Sequence, residues 1–432
     1  MPANQRLLDF LLTRCARRLP DKVFLSDTQR RVTYAETELA AERFAAALAG
    51  QGVQRGDRVV VFCQNRVEVA LAALGVLRTD GVFIIINPST KAGKLRWLLE
   101  DSGAAAMVVD SATAPVAAQA REGLRTRGPV YQVGPQPLPG SIPWEEALAA
   151  PGDPPARRAI DVDLAALIYT SGSTGNPKGV MLTHANLRHT TWSISTYLEN
   201  REDDVILDAL PLAFDYGFYQ VLTAMRVGAS VLIEKGFPLA YPVLRRMQEE
   251  GATGFPGVPT MFALILALKD LAELPLPRLR YFSNTADALP PAHIRRLREV
   301  FPHVTLYSMY GLTECTRVAY LDPGELERRP RSVGKAIPNT EVWLEKEDGG
   351  RARPGEEGIL MVRGAHVMAG YWRNEEATKK MLRSGTVPGE RVLRSGDLFI
   401  TDEDGFLYYV GRSDNIIKSR GEKVSPREVE SA

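Results

Sequence analysis

Residues 169–179 read Tyr169-Thr-Ser-Gly-Ser-Thr-Gly-Asn-Pro-Lys178-Gly179, directly after the apolar run 164–168. Four aliphatic hydroxyls, three glycines and one lysine crowd this segment. Small residues let main-chain N–H groups approach an anion closely, hydroxyls add donors, and lysine adds a full positive charge. The segment is therefore read as a phosphate-gripping loop behind a buried strand. It departs from G-x-x-x-x-G-K-[ST], because Gly179 stands where that loop places a hydroxyl for magnesium. A plain polar turn between two elements is the alternative for the segment taken alone.

Outward from this loop the chain alternates helical and strand patterns, which predicts an α/β fold. Thr33 and Glu36 form a capping box that opens an alanine-rich helix to about residue 49. Residues 58–63 and 82–86 read as buried strands, 67–77 and 91–101 as helices, and 104–109 closes a further βαβ-like unit. Thr183 reads as the N-cap of a helix over 184–198, with strands at 205–210, 230–233, 279–283 and 304–308. Residues 112–159 turn to Pro, Gly and Ala and are read as surface excursion and linker, with one strand at 130–133. From residue 333 to about 410, short strands and Gly/Pro turns predict a small β-rich unit.

A chain of 432 residues can bury two or three structural units. Hydrophobic content of 45% and charged content of 24% are ordinary for a soluble globular protein. Lys+Arg 53 against Asp+Glu 52 leaves a net charge of +1, which argues against a nucleic-acid partner or an anionic membrane surface. Cys15, Cys63 and Cys315 lack C-x-x-C spacing and fit a reducing compartment without a zinc site. The first residues lack the apolar core of a signal peptide, and no apolar run reaches the roughly 18 residues of a membrane span. A cytoplasmic location is expected.

Two further clusters carry chemistry. Tyr310-Gly311-Leu312-Thr313-Glu314 follows the strand expected at 304–308, and ligand sites of open α/β sheets sit at such carboxyl ends. Tyr310 offers a flat face to a base or ribose, Thr313 a hydroxyl, and Glu314 a hard oxygen ligand for magnesium. A core tyrosine and a first-turn helix carboxylate are the other reading. Ser395-Gly396-Asp397 precedes Asp404-Gly405 and Gly411-Arg412-Ser413-Asp414. A carboxylate on a tight glycine turn suits both hydroxyls of a ribose, with Arg412 as second contact. A hairpin turn with a charged partner is the alternative.

Taken together and in this order, these segments resemble the core motifs of the AMP-forming adenylating enzymes: acyl-CoA synthetases, peptide-synthetase adenylation domains and luciferases. The matching segments are 169–179, 310–314, 358–372 with Gly370-Tyr371-Trp372, 395–397 and 411–424, and the resemblance spans essentially the whole chain. Within that superfamily the chain is most similar to stand-alone CoA ligases and acyl- or aminoacyl-carrier-protein ligases. The resemblance implies a large adenylation domain over residues 1–411. This comprises two αβ-layered subdomains and a small β-rich, distorted-barrel subdomain at about 333–410. A hinge and the stub of a C-terminal domain would follow over 412–432.

The implied reaction has two steps. A carboxylate attacks the α-phosphate of ATP, giving an acyl-adenylate and pyrophosphate; a thiol of CoA, or of a carrier protein's phosphopantetheine arm, then displaces AMP. Carboxylate and phosphates repel, so positioning and charge neutralisation must supply most of the acceleration. By the resemblance, Thr170, Ser171, Ser173 and Thr174 would bind ATP, with Lys178 on the β,γ-phosphates. Thr313 would touch the α-phosphate, Glu314 would carry Mg2+, Tyr310 would stack near the adenosine, and Asp397 with Arg412 would take the ribose hydroxyls. Asp414 matches the hinge position. Thr285-Ala286 stand where family members usually place a Gly-Gly pair.

The same resemblance places Asp215, Tyr216, Tyr219, Asn284, Met309 and Arg317, with Phe255 and Val258, around the acid's pocket. Asp215 sits where amino-acid-activating members hold the substrate ammonium, and a carboxylate in an apolar pocket is costly unless it meets a cation. Arg317 is an alternative partner, which would leave the pocket to a neutral or polar acyl group; both readings stay open. The chain ends at Ala432, short of a further domain of roughly a hundred residues by the resemblance, where ordinary domains begin at about 50. It is therefore expected to bind ATP and acid, to adenylate poorly and barely to form thioester. Lys418 and Lys423 read as solvated linker charges. A binding module that has lost catalysis, and a phosphotransferase releasing ADP rather than AMP, are the alternatives from other classes.

Overall fold

The run Arg58–Phe62 is apolar on both faces, and such runs belong in the middle of a parallel sheet covered on both sides. The structure, a computed structural model, puts it there. It describes the chain outside residues 1–4, 125–127, 171–175, 270, 272–273, 414–416, 420–421 and 425–432, with backbone alone for 417–419 and 422–424. The chain divides into two compact units: residues 1–256 with 273–279, and residues 257–272 with 280–432.

In the first unit, one sheet runs Lys178–Thr183, Leu164–Thr170, Val82–Ile85, Arg58–Phe62, Ala106–Asp110, Val130–Val133 and Ile142–Pro143. All neighbours are parallel except Lys178–Thr183, which folds back antiparallel on Leu164–Thr170. A second sheet orders Gly254–Gly257, Val205–Asp208, Ser230–Ile233, Val23–Ser26 and Arg31–Thr33. The helix Tyr34–Gly50 opens on the expected capping box: Thr33 accepts the Glu36 N–H and Glu36 accepts the Thr33 N–H. It packs closely on the helix Val67–Arg78, where a methyl on Gly75 would meet the Phe44 ring at 2.7 Å.

Residues 112–159 correct the sequence reading. Beside the expected strand Val130–Val133, and in place of a linker, they contain the helix Ala114–Arg121, the strand Ile142–Pro143 and the helix Trp144–Ala149. Trp144 is 1% exposed and its ring lies 4.7 Å from Phe44. The Pro and Gly residues suggested breaks, but Ala114, Ala117 and Ala120 recur at helical spacing and are buried. Leading out of this region, Arg157 binds Asp9 at 2.6 Å and Asp80 at 2.6 Å, and Asp9 is also 3.2 Å from Arg78.

In the second unit the strands Tyr281–Asn284 and Thr305–Tyr310 are parallel, and Ala319–Leu321 and Lys335–Ala336 continue antiparallel. The β-rich part expected from residue 333 is a five-stranded antiparallel sheet. Its order is Thr340–Glu345, Gly358–Gly364, Arg391–Thr401 and Leu382–Ser384, and Leu407–Arg412 also pairs with Arg391–Thr401. Arg329 braces the turn of that last hairpin, bonding Asp402 at 3.0 Å, Asp404 and Glu325, with its guanidinium 4.1 Å from the Phe406 ring centroid. The backbone of Ile417–Ser419 and Glu422–Val424 forms a further hairpin. No described helix is long and apolar enough to cross a membrane. Cys15, Cys63 and Cys315 are all buried as free thiols.

Candidate functional site

Tyr310 ends a strand whose next eight residues must turn back, because Ala319 pairs with Tyr310 in antiparallel register. The turn is tight. A methyl on Gly311 would lie 2.2 Å from the Thr316 carbonyl oxygen, so only glycine fits. Thr316 itself sits at φ 63, a conformation that β-branched residues rarely adopt and that collects at functional sites. This turn carries Thr313 and Glu314.

Two carboxylates of the second unit are held by phenols. The Tyr310 hydroxyl donates to Asp397 Oδ2, and the Tyr371 hydroxyl donates to Glu314 Oε1 at 2.5 Å. Tyr310 is placed by aromatic packing: its ring meets Phe399 edge-on at 4.9 Å and lies 6.4 Å from Tyr409. Asp397 follows Gly396, whose φ of 76 makes the turn, and Ser395 Oγ accepts the Asp397 N–H at 3.1 Å. Arg412 pairs across the hairpin with Asp397, and its Nη1 stands 3.2 Å from Asp397 Oδ1. Arg412 thus ion-pairs Oδ1 from a half-exposed side chain, a contact that falls short of an aligned hydrogen bond. Burial raises the Asp397 carboxyl above the usual range, an effect the Tyr310 hydroxyl and Arg412 oppose and the Glu314 charge reinforces. Burial also pushes the Tyr310 and Tyr371 phenols up, each helped by its carboxylate, so both remain donors.

These features test two implied groups. A ribose hydroxyl is a donor of the size and kind that would give Asp397 Oδ1 an aligned hydrogen bond beside its ion pair with Arg412. For Mg2+, no group of three or more His, Cys, Asp or Glu side chains forms a cage among the described residues. Glu314 alone suits that ion when phosphates and water supply its other ligands.

Of the residues expected around the acid's pocket, the second unit buries Asn284, Met309 and Arg317 at 1%, 4% and 2% exposure. Asn284 Nδ2 donates to the Asp287 carbonyl at 3.0 Å, while its Oδ1 is buried without a partner. Ala286, in the place of an expected glycine, sits at φ 75. The backbone thus keeps the conformation of a glycine although the residue has changed.

The first unit carries the remaining residues. Thr170 and Lys178 face each other as a cross-strand pair of the Leu164–Thr170/Lys178–Thr183 hairpin, so their side chains share a face at the root of the glycine-rich loop. Ser171, Ser173, Thr174 and Asp414, the residue expected at the hinge, lie outside the described residues. Asp215 opens the helix Asp215–Val227 and accepts the Tyr216 N–H at 2.8 Å. It is the single charged residue among the described lining of an apolar cavity that includes Phe83, Leu167, Leu212, Phe218 and Tyr219. Tyr216 and Tyr219 are buried on the same helix. Sequence reading quoted Gly370-Tyr371-Trp372 as a motif but gave Tyr371 no contact; the bonded partners are 57 residues apart, and no local pattern reports such a contact.

Comparison with known proteins agrees with this geometry. The AMP-binding enzyme family matches residues 12–372. A long-chain-fatty-acid–CoA ligase of Bacillus subtilis (strain 168) is 28% identical over 470 residues, covering 100% of this chain and 81% of that protein. The crystal structure of the anthranilate CoA ligase AuaEII in complex with anthranoyl-AMP is similar with a TM-score of 0.90 and 28% identity, covering 98% of this chain and 81% of that one. The structure of VinN with L-aspartate is similar with a TM-score of 0.82 and 31% identity, covering 94% and 98%. Anchored by the Gly311 turn, the Asp397 hairpin and this match over most of its length, the chain belongs to the AMP-binding enzyme family.

Proposed function

We propose that the protein activates a carboxylic acid bearing an amino group as its acyl-adenylate, at the expense of ATP and with release of pyrophosphate. The thiol of CoA or of a carrier protein's phosphopantetheine arm then takes the acyl group. The observation that carries the adenylate reading is Asp397, buried, aimed by Tyr310 and Ser395, and paired through Oδ1 with a half-exposed Arg412 short of an aligned hydrogen bond. In this reading Asp397 and Arg412 hold the ribose, and Tyr310 lines the adenosine position. Thr313 meets the α-phosphate, and Thr170, Ser171, Ser173, Thr174 and Lys178 hold the outer phosphates. Mg2+, carried by Glu314, would offset the phosphate charge that repels the incoming carboxylate.

The amino group is supported by the place of Asp215, whose carboxylate stands in an otherwise uncharged lining where a substrate ammonium would meet an opposite charge. Asn284 Oδ1 is a further buried acceptor. L-aspartate, the molecule in one similar structure, carries an ammonium, and the anthranoyl group of another carries a neutral arylamine that can donate hydrogen bonds. A pocket for a fatty or other neutral acid is the second reading, favoured by the likeness to the long-chain-fatty-acid ligase.

Binding of non-hydrolysable acyl-sulfamoyl adenosines, measured by calorimetry, separates these readings without needing turnover. Aminoacyl analogues are expected to bind at least about tenfold more tightly than their deaminated counterparts, the worth of one good charge-assisted contact. Equal binding of the two series sinks the amino-acid reading, and failure of every analogue to bind sinks the adenylate reading itself.

A further inference from the structure

Glu314 is grasped twice by one short strap. The Met368 N–H donates to the Glu314 carbonyl oxygen at 2.8 Å, and three residues on the Tyr371 hydroxyl donates to Glu314 Oε1 at 2.5 Å. The strap is itself anchored. The Tyr371 N–H donates to Thr378 Oγ1 at 2.8 Å, and that hydroxyl donates to the Asn374 carbonyl at 2.8 Å. Arg391 Nη1 donates to the Ala369 carbonyl at 2.9 Å. Tyr371 is only 4% exposed, so its ring is fixed by packing as well as by the hydrogen bond.

The choice of a phenol has a chemical meaning. A guanidinium in the same place would orient Glu314 equally well but would cancel its charge. A neutral hydroxyl occupies one lobe of one oxygen and leaves a full negative charge for a cation. A glutamate has three side-chain torsions, and unrestrained it would lose rotamer entropy on ligating a metal; a carboxylate already fixed has met that cost in folding.

We propose that Tyr371 is a positioning residue that presents Glu314 to Mg2+·ATP, with the strap 368–371 as its support. The inference rests on Glu314 as the magnesium carrier and adds a residue to that role. The step it assists is unchanged, since Tyr371 touches neither the acid nor the phosphates in this assignment and gives up no proton.

The test is a titration of the full chain with Mn2+ in the presence of ATP, read by electron paramagnetic resonance, beside ATP binding in EDTA and thermal midpoints. Tyr371→Phe is expected to weaken Mn2+ binding about tenfold, the lower range for loss of an outer partner of a metal ligand. Its metal-free ATP affinity should stay within about twofold of the parent protein, because an interaction confined to Glu314 reaches ATP only through the metal. Glu314→Gln should weaken Mn2+ at least as much, and the double variant should be no worse than Glu314→Gln alone, because the phenol acts only through the carboxylate. Additive losses, or unchanged Mn2+ binding in Tyr371→Phe while Glu314→Gln loses it, overturn the role of Tyr371 alone. Unchanged binding in Glu314→Gln removes the metal assignment on which it rests. Should Tyr371→Phe lower the thermal midpoint, Thr378→Val, which loosens the strap and leaves the phenol in place, must give a smaller loss in the same direction; no loss counts against the proposal.

Discussion

The two units treat their buried and half-buried carboxylates in opposite ways. In the first, Asp9 lies between Arg157 and Arg78, and Arg157 reaches on to Asp80. Burial alone would raise the Asp9 carboxyl, but the Arg157 guanidinium outweighs it and holds the group below its usual range. In the second, Glu314 and Asp397 are held by the hydroxyls of Tyr371 and Tyr310. An arginine neutralises a carboxylate and completes it. A phenol sets its direction and leaves its charge to be used, and Arg412, with its side chain 43% exposed, only partly offsets this at Asp397. The contrast separates carboxylates neutralised within the fold from the two that we propose meet a ligand.

The largest effect that could break this contrast belongs to Asp9→Asn. Removing one member of a buried ion network is expected to cost about 3 kcal/mol of stability. Urea unfolding should show it, with ATP affinity of the folded fraction unchanged. A variant that kept its stability and lost ATP would reverse the assignment. Next comes Asp397→Asn. ATP binding should weaken about 10- to 100-fold, the worth of charged hydrogen bonds of about 1.5–3 kcal/mol, and the thermal midpoint should not fall. A fall in midpoint with intact binding would class Asp397 with Asp9.

Asp208 sharpens the comparison as a third case, with neither arginine nor phenol. Its Oδ1 accepts the Leu210 N–H at 3.1 Å, its Oδ2 is buried without a partner, and burial pushes its carboxyl well above the usual range. A raised carboxyl binds its proton more tightly in the folded state than in the unfolded state. Stability is therefore lost as pH climbs from the unfolded value toward the folded one, by up to about 1.4 kcal/mol per pH unit. Asp208→Asn should remove that slope, read from unfolding midpoints across a pH series; an unchanged slope would show that another group causes it. The smallest effect is that of Ala286→Gly. Relief of a left-handed alanine should raise stability by about 1 kcal/mol, and an unchanged or lowered midpoint would mean that the Ala286 methyl makes compensating contacts.

What could be read from the sequence followed from local composition. Residues 169–179, 310–314 and 395–397 combine glycine with hydroxyls or carboxylates so unusually that each pointed to chemistry before any fold was known. The capping box at Thr33 and the N-cap at Thr183 marked two helix starts, and both are present. The strand Lys178–Thr183 was missed because its first residue reads as loop and its last as a cap, and only pairing to Leu164–Thr170 makes it a strand. Trp144 was lost inside a Pro/Gly-rich stretch because its partner Phe44 lies about a hundred residues away by chain order. The same holds for the clasp on Glu314. Hydrogen bonds between residues 57 and 87 apart leave no periodic trace, so the residues were legible and their restraint was not.

The burial of Cys15, Cys63 and Cys315 gives this protein a practical property. Buried structural thiols are slow to react, and burial further pushes the Cys63 thiol up, away from its reactive anion. A maleimide dye should find no native anchor on the folded surface. One cysteine placed at an exposed position, such as Val387→Cys at 61% exposure, would then carry a fluorophore alone, and nucleotide binding could be followed optically without altering any native thiol.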